Sequence, residues 1–391
     1  MYQLTGSKSS AEGAANVGGM FMTDVSNASR WLFLDIHSVQ WDQGLVDTVC
    51  APHSVPLSAL PEVRASSHVY SIGSSKCGLP SLESAPISSV LGDQQAALFG
   101  QCAFGPGEAK NTYGTGMFLM MNTGTEVVES KHGLLTTLAF KIGTKDVVYA
   151  LEGSVSHSGS TIQWLRDQLK IIGNAVESET LAATTTSNDG LYFVPAFAGL
   201  FAPYWRSDAR ACIVGMTTTH HKGHICRAAL EAAAYQTREV FDAIYADSNV
   251  NLKELKVDGG ASANKLLMQF QADIVDVDVV RPVVMETTAM GAAFAAGLAV
   301  GVWKDTQELR ALWAADKRFS PSMDSSTRSE LWKGWKKAVT KSLGWVDEGG
   351  SEEEASQPKS QAQSNAFSPV SVALMSVAAL AIGALLGRRS G

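Results

Sequence analysis

The chain has 391 residues, 45% of them hydrophobic, with 35 glycines and a formal net charge of -7. That length suits one large or two medium domains, and the glycine content suits an α/β protein rich in tight turns. The acidic balance lacks the basic footprint that a nucleic-acid partner leaves, so no nucleic-acid partner is expected.

In chain order, residues 7–19 are small and polar with no apolar run, so no signal peptide is expected. From Asp24 the pattern turns helical, and Ser26 to Ser29 lead into Trp31, Leu32, Phe33 and Ile36. Residues 50–90 are rich in Pro, Ser and Gly and read as loops with short strands. Residues 87–91 read as a strand that ends at Gly92, and residues 93–99 as the start of a helix. Residues 111–122, 133–141 and 147–152 read as the short strands of an antiparallel meander. Helices are expected at 161–169, 224–247, 264–275 and 287–301, and strands at 191–195, 255–257 and 277–280. Residues 329–345 form an amphipathic helix carrying Trp332, Trp335 and Trp345, expected to pack against the domain. Strand–helix alternation mixed with a meander argues for α/β layers rather than a pure doubly wound sheet.

Residues 349–367 are polar, acidic and proline-containing, the composition of a disordered linker. Residues 370–387 then run without a charge and are followed by Arg388 and Arg389. This is close to the shortest stretch that spans a bilayer, so a C-terminal tail anchor is expected. Its modest hydrophobicity and basic end suit the mitochondrial outer membrane with the protein facing the cytosol; the endoplasmic reticulum and the cytoplasm are alternatives. Five scattered cysteines (Cys50, Cys77, Cys102, Cys212 and Cys226) form no Cys-x-x-Cys pair, so reduced cytosolic thiols are expected rather than a zinc or redox motif.

Chemistry concentrates at three glycine-marked turns: Gly92-Asp93-Gln94, Gly114-Thr115-Gly116 and Gly259-Gly260 with Asn264 beyond it. Asp93, after a strand and a glycine, either caps a helix or accepts a proton from a substrate hydroxyl, with Gln94 bonding a second hydroxyl. Phosphoryl transfer needs a positioned nucleophile more than a strong base, so a carboxylate suffices. Gly114-Thr115-Gly116 is either a plain hairpin turn or a place where backbone N–H groups approach phosphate oxygens. Gly259-Gly260 ends a strand and opens a helix, a setting that serves either close packing or an anion. His220, His221 and His224 lack a partner at metal-ligand spacing and read as a solvated loop entering a helix.

Long motifs carry a resemblance. They are VLGDQQAALFGQ at 90–101, KNTYGTGMFLMMNTG at 110–124, YALEGSVSHSGSTIQWLRD at 149–167, YFVPAFAGLFAPYW at 192–205, VDGGASANKLLMQFQADI at 257–274 and ETTAMGAAFAAGLAVG at 286–301. Together with TDVSNASRWLFLDIHSVQWD at 23–42, they closely resemble the glycerol kinases of the FGGY carbohydrate kinase family over about residues 20–346. Gly215, His224 and Glu231 resemble its second signature. The resemblance implies an α/β, actin-like ATPase (ribonuclease H-like) two-domain kinase fold that closes on its substrates, and ATP-dependent phosphorylation of glycerol. It makes Asp93 the base, Gln94 a glycerol ligand, and Thr115, Gly159, Gln163, Gly260 and Asn264 the ATP contacts, with Mg²⁺ bridging the phosphates.

Family members begin with a phosphate-holding turn and an Arg-Glu pair that binds glycerol, and no counterpart occurs here. The expectation is therefore a first domain incomplete at residues 1–95, a second domain at 96–302, a helical extension at 303–346, the linker at 347–367 and the anchor at 368–391. Such a chain alone is expected to bind nucleotide weakly and to turn over glycerol slowly or not at all. Competing readings are a non-catalytic membrane-tethered binding protein and a kinase for another polyol or sugar; homo-oligomerisation is left open.

Overall fold

A computed structural model describes residues 20–72 and 84–346. Its organising element is a seven-stranded sheet. The strands are β1 (Glu108–Tyr113), β2 (Met117–Gly124), β3 (Leu135–Phe140), β4 (Val148–Val155), β5 (Glu254–Asp258), β6 (Val279–Pro282) and β7 (Ala315–Phe319). Their order is β7-β6-β5-β1-β2-β4-β3. β1 and β2 form a hairpin, but β4 inserts between β2 and β3, so the expected simple meander is corrected to a crossed antiparallel half. β5 runs parallel to β1, and β6 parallel to β5. Parallel neighbours require long crossovers, and helices supply them.

Six helices matter most: α1 (Asp93–Gly100), α2 (Gly159–Asp167), α3 (Lys222–Ser248), α4 (Lys265–Val275), α5 (Thr287–Ala299) and α6 (Ser325–Lys341). Each overlaps an expected helix. α3 packs closely because Ala228, Ala229, Ala232, Ala233 and Ala234 are all buried. On the same core, the indole of Trp335 from α6 stacks on Tyr235 of α3, with ring centroids 5.0 Å apart and an interplanar angle of 12°. Trp335 is wholly buried, whereas Trp345, expected to pack, is 64% exposed. A second cluster joins α1 and α5 through Phe99, Phe140 and Phe294.

The helix expected from Asp24 onward is corrected to a single turn, Val25–Ala28. Asp24 caps it, but Leu32 takes a left-handed φ of 64° and the chain enters a short strand at Leu34–Asp35. Trp31 and Phe33 make an aromatic corner instead, with Trp31 5.9 Å from Trp41, while Leu32 is exposed.

The described cysteines Cys50, Cys102, Cys212 and Cys226 are free thiols. Among the described residues no helix is long and apolar enough to cross a membrane. The expected linker, the tail anchor at 368–391 and Cys77 lie outside the described residues.

Candidate active site

Asp93 is the first residue of α1, with Gly92 in the capping position. Its side chain is exposed, Oδ1 accepts the Gln94 N–H at 2.8 Å and Oδ2 accepts Gln94 Nε2 at 3.2 Å. The turn before it is held from far away in sequence. The Gly92 N–H donates to Ser26 Oγ at 2.9 Å, and Ser26 Oγ donates to Asp24 Oδ2 at 2.6 Å. Asp24 is fully buried and also accepts from the Ser26 and Asn27 backbone, from Asn27 Nδ2 and from Ser66 Oγ. A buried carboxylate with this many donors is a rigid anchor for the turn.

Behind Asp93 lies Lys110 on β1, fully buried. Its ammonium donates to Gln94 Oε1, to Thr112 Oγ1 at 3.1 Å and to the Phe118 carbonyl at 3.1 Å. Burial lowers its pKa to about 8, opposed by the carboxylates of Asp258, Glu152 and Asp93. Those charges place Asp93 and Asp258 in one electrostatic neighbourhood at the ends of β1 and β5, where Thr112 and Asp258 are register partners. Asp258 accepts from Gln101 Nε2 and Thr287 Oγ1, each at 2.8 Å. Glu152 on β4 is paired with Arg30 at 2.8 Å.

The two later glycine corners meet here. Gly259 has φ 84°, and a Cβ there would overlap the backbone of Tyr113 at the end of β1. Only glycine lets the β5 corner lie against the β1–β2 turn. Beyond it, Gly260 opens a one-turn 3₁₀ helix (Gly260–Ala263) and faces open space. Asn264 follows as the cap of α4, its Oδ1 accepting the Leu267 N–H at 2.9 Å. Thr115 is exposed at the tip of the hairpin. Its carbonyl accepts the N–H groups of Ser158 and Ser160 at the start of α2, and the Gly159 N–H binds the Gly114 carbonyl at 3.1 Å. The first turn of α2 is thus latched to the hairpin, and Gln163 projects exposed one turn further on. Asp93 and Gln94 therefore border the β1–β5 end of the sheet, and Thr115, Gly159, Gly260 and Asn264 cluster around its glycine corners. A cavity of about 510 Å³ lined by Trp164, Phe197, Arg210 and Cys212 includes none of the expected site residues.

As expected, His220 and His221 end an exposed loop that leads into α3, but His224 is buried in the first turn of that helix. His221 caps α3 by accepting the Gly223 N–H, His224 returns the bond to the cap backbone, and His224 Nε2 lies 3.1 Å from Asp189. Among the described residues no group of three His, Cys, Asp or Glu could hold a metal ion. Sequence reasoning missed Asp24, Ser26, Lys110 and Glu152. A lysine in the otherwise uncharged run from Ala109 to Asn122 was the visible signal for one of them.

The N-terminal domain of the FGGY family of carbohydrate kinases matches residues 14–100, and its C-terminal domain matches residues 109–300. The chain belongs to the FGGY family of carbohydrate kinases. Its α/β fold is the two-domain actin-like ATPase fold of that family. The chain is similar to glycerol kinase of Clavibacter michiganensis subsp. michiganensis, at 59% identity over 332 residues, covering 85% of this chain and 64% of the relative. It is equally similar to glycerol kinase of Paenarthrobacter aurescens, at 59% identity and the same coverage. Among solved structures it resembles Plasmodium falciparum glycerol kinase with ADP, with a TM-score of 0.79 and 40% identity over 83% of this chain and 64% of that one. Xylulose kinase from Lactobacillus acidophilus, 21% identical with a TM-score of 0.73, shares the fold. The FGGY chain described here spans about 64% of the length of the curated relatives it matches.

Proposed function

We propose that the protein transfers the γ-phosphoryl group of ATP to glycerol, giving glycerol 3-phosphate and ADP. The observation that carries the reading is the exposed Asp93 carboxylate, anchored through Gly92, Ser26 and Asp24, with its neighbour Gln94 bonded to Lys110 on β1, the strand whose end packs against the Gly259 corner. The similarity to glycerol kinases rather than to a generic sugar kinase supports glycerol as the acceptor.

In this reading the Asp93 carboxylate takes the proton of the acceptor hydroxyl as the new O–P bond forms. The bond from the γ-phosphorus to the bridging oxygen breaks, and ADP leaves with that electron pair. Gln94 orients the acceptor. Thr115, Gly260 and Asn264 border the nucleotide, with Gly159 holding the hairpin and Gln163 reaching from α2. Mg²⁺ arrives with ATP as part of the substrate, bound by phosphate oxygens. The open backbone at Gly260 suits an anion, because a helix start presents N–H groups without intrahelical partners. The division of the chain near residue 95 belongs to the same proposal.

The test is a coupled ADP-release assay on the protein purified from its source, with glycerol and xylulose as acceptors. Glycerol turnover is expected, with kcat about 10²–10⁴-fold lower in Asp93→Asn. Nucleotide binding without turnover of either acceptor would favour a tethered binding protein, and preference for xylulose would move the substrate assignment.

The uncharged run at 370–387 supports a further element of the proposal, a tail anchor in the mitochondrial outer membrane with the kinase facing the cytosol. A fluorescent fusion bearing residues 368–391 is expected on membranes; a fusion that remains soluble removes the anchor.

A further inference from the structure

Lys110 is an expensive residue to bury. An ammonium taken out of water costs several kcal/mol unless its donors are satisfied. All three of its N–H groups are used, on Gln94, Thr112 and Phe118. None remains for a substrate, and no ion pair involving Lys110 occurs among the described residues. The three partners come from three segments of the site: the residue after Asp93, the strand end paired with Asp258, and the strand leaving the hairpin. The cation ties these segments at one point.

The Gln94 bond has a directional consequence. A carboxamide has a donor end and an acceptor end of nearly the same shape, and its orientation is set by its partners. An ammonium can only donate, so Oε1 must face Lys110. Nε2 is then turned outward, where it lies 3.2 Å from Asp93 Oδ2. Without the cation both orientations of the amide become available, and in one of them an oxygen faces the Asp93 carboxylate.

We infer that Lys110 is a positioning residue: it locks the Gln94 amide so that the site offers an N–H donor beside the Asp93 carboxylate. This inference rests on the proposed phosphoryl transfer and deepens it. The pair then recognises an acceptor with two adjacent hydroxyls. One gives its proton to Asp93, and its neighbour accepts from Gln94 Nε2. Lys110 acts through Gln94 and touches neither substrate.

The test combines spectroscopy and kinetics on the full chain. Lys110→Met keeps an unbranched side chain only one atom shorter and removes the charge. In ¹⁵N-labelled protein the two Gln94 side-chain amide protons are expected to be well separated and slow to exchange, and to collapse towards solvent-exposed values in Lys110→Met. Unchanged Gln94 signals would overturn the inference whatever the activity. For turnover, Lys110→Met is expected to raise KM for glycerol about 10-fold or more, with a smaller fall in kcat and an unchanged Kd for ATP. Equal losses for glycerol and ATP would indicate general damage to the fold and overturn the positioning role. Gln94→Glu guards against misfolding of the first variant, since its carboxylate pairs with Lys110 but supplies no donor. It is expected to lose glycerol affinity to a similar extent, and retained affinity would overturn the inference. If the Gln94 signals respond as expected but the wild type phosphorylates no acceptor, the functional reading fails while the positioning stands.

Discussion

At the scale of single residues, buried charge is placed where it organises backbone. Glu231 on α3 illustrates the cost. Its carboxylate bonds Asn188 Nδ2 at 2.9 Å and Arg227 at 3.4 Å, yet burial pushes its pKa up from 4.5 to about 7. A raised carboxylate pKa means that the folded state holds a proton that the unfolded chain has released. Its effect on stability is therefore a loss as pH rises from about 4.5 to about 7, and a constant cost above that. Comparing urea unfolding of the wild type with that of Glu231→Gln between pH 4 and 8 isolates it. The variant is expected to gain on the wild type by on the order of 3 kcal/mol across that window, then run parallel. A difference independent of pH would show that Glu231 titrates alike in the folded and unfolded chain. Asp93 is the contrasting case, an exposed carboxylate whose position is set by the buried Asp24 and Ser26.

At the scale of elements, the decisive contact is the crossing of α1 and α5. Gly100 lies against the backbone of Thr287 and Gly291, and a Cβ on Gly291 would overlap the Ala96 carbonyl. The helices approach backbone to backbone, which no side chain can accommodate without displacement. The same α5 begins with Thr287, whose hydroxyl binds Asp258 at 2.8 Å. The crossing therefore ties the helix that starts at Asp93 to the end of β5. Gly291→Val is expected to destabilise the protein by about 1–3 kcal/mol or more through overpacking. Chemical denaturation measures this, and stability equal to the wild type would show that the two helices can separate. The hairpin latch on α2 is a second fixed contact, with the Thr115 carbonyl taking two N–H groups.

At the scale of the whole molecule, α6 closes the fold over the large core. Trp335 inserts against Tyr235, and Arg238 lies over the neighbouring Trp332 ring at 4.3 Å. Lys336 adds an ion pair to the buried Glu239 at 3.3 Å. Trp335→Ala is expected to cost about 3–5 kcal/mol, the usual range for emptying an aromatic site in a core. A thermal melt reads the effect, and a shift too small to resolve would make α6 an appendage rather than part of the core.

The sequence alone determined the identity of the long elements, because their hydrophobic periods and glycine stops are local. It also determined the three glycine corners and the family, because long motifs are specific. It could not decide which atoms those corners meet. The Gly92 turn is held by Ser26, and Asp258 by Gln101 and Thr287, partners far apart along the chain. The single turn at Val25–Ala28 and the capping role of His221 and His224 were likewise decided only by the packed structure. Buried polar atoms must find partners wherever folding brings them, and pairings between segments tens of residues or more apart leave no trace in local composition.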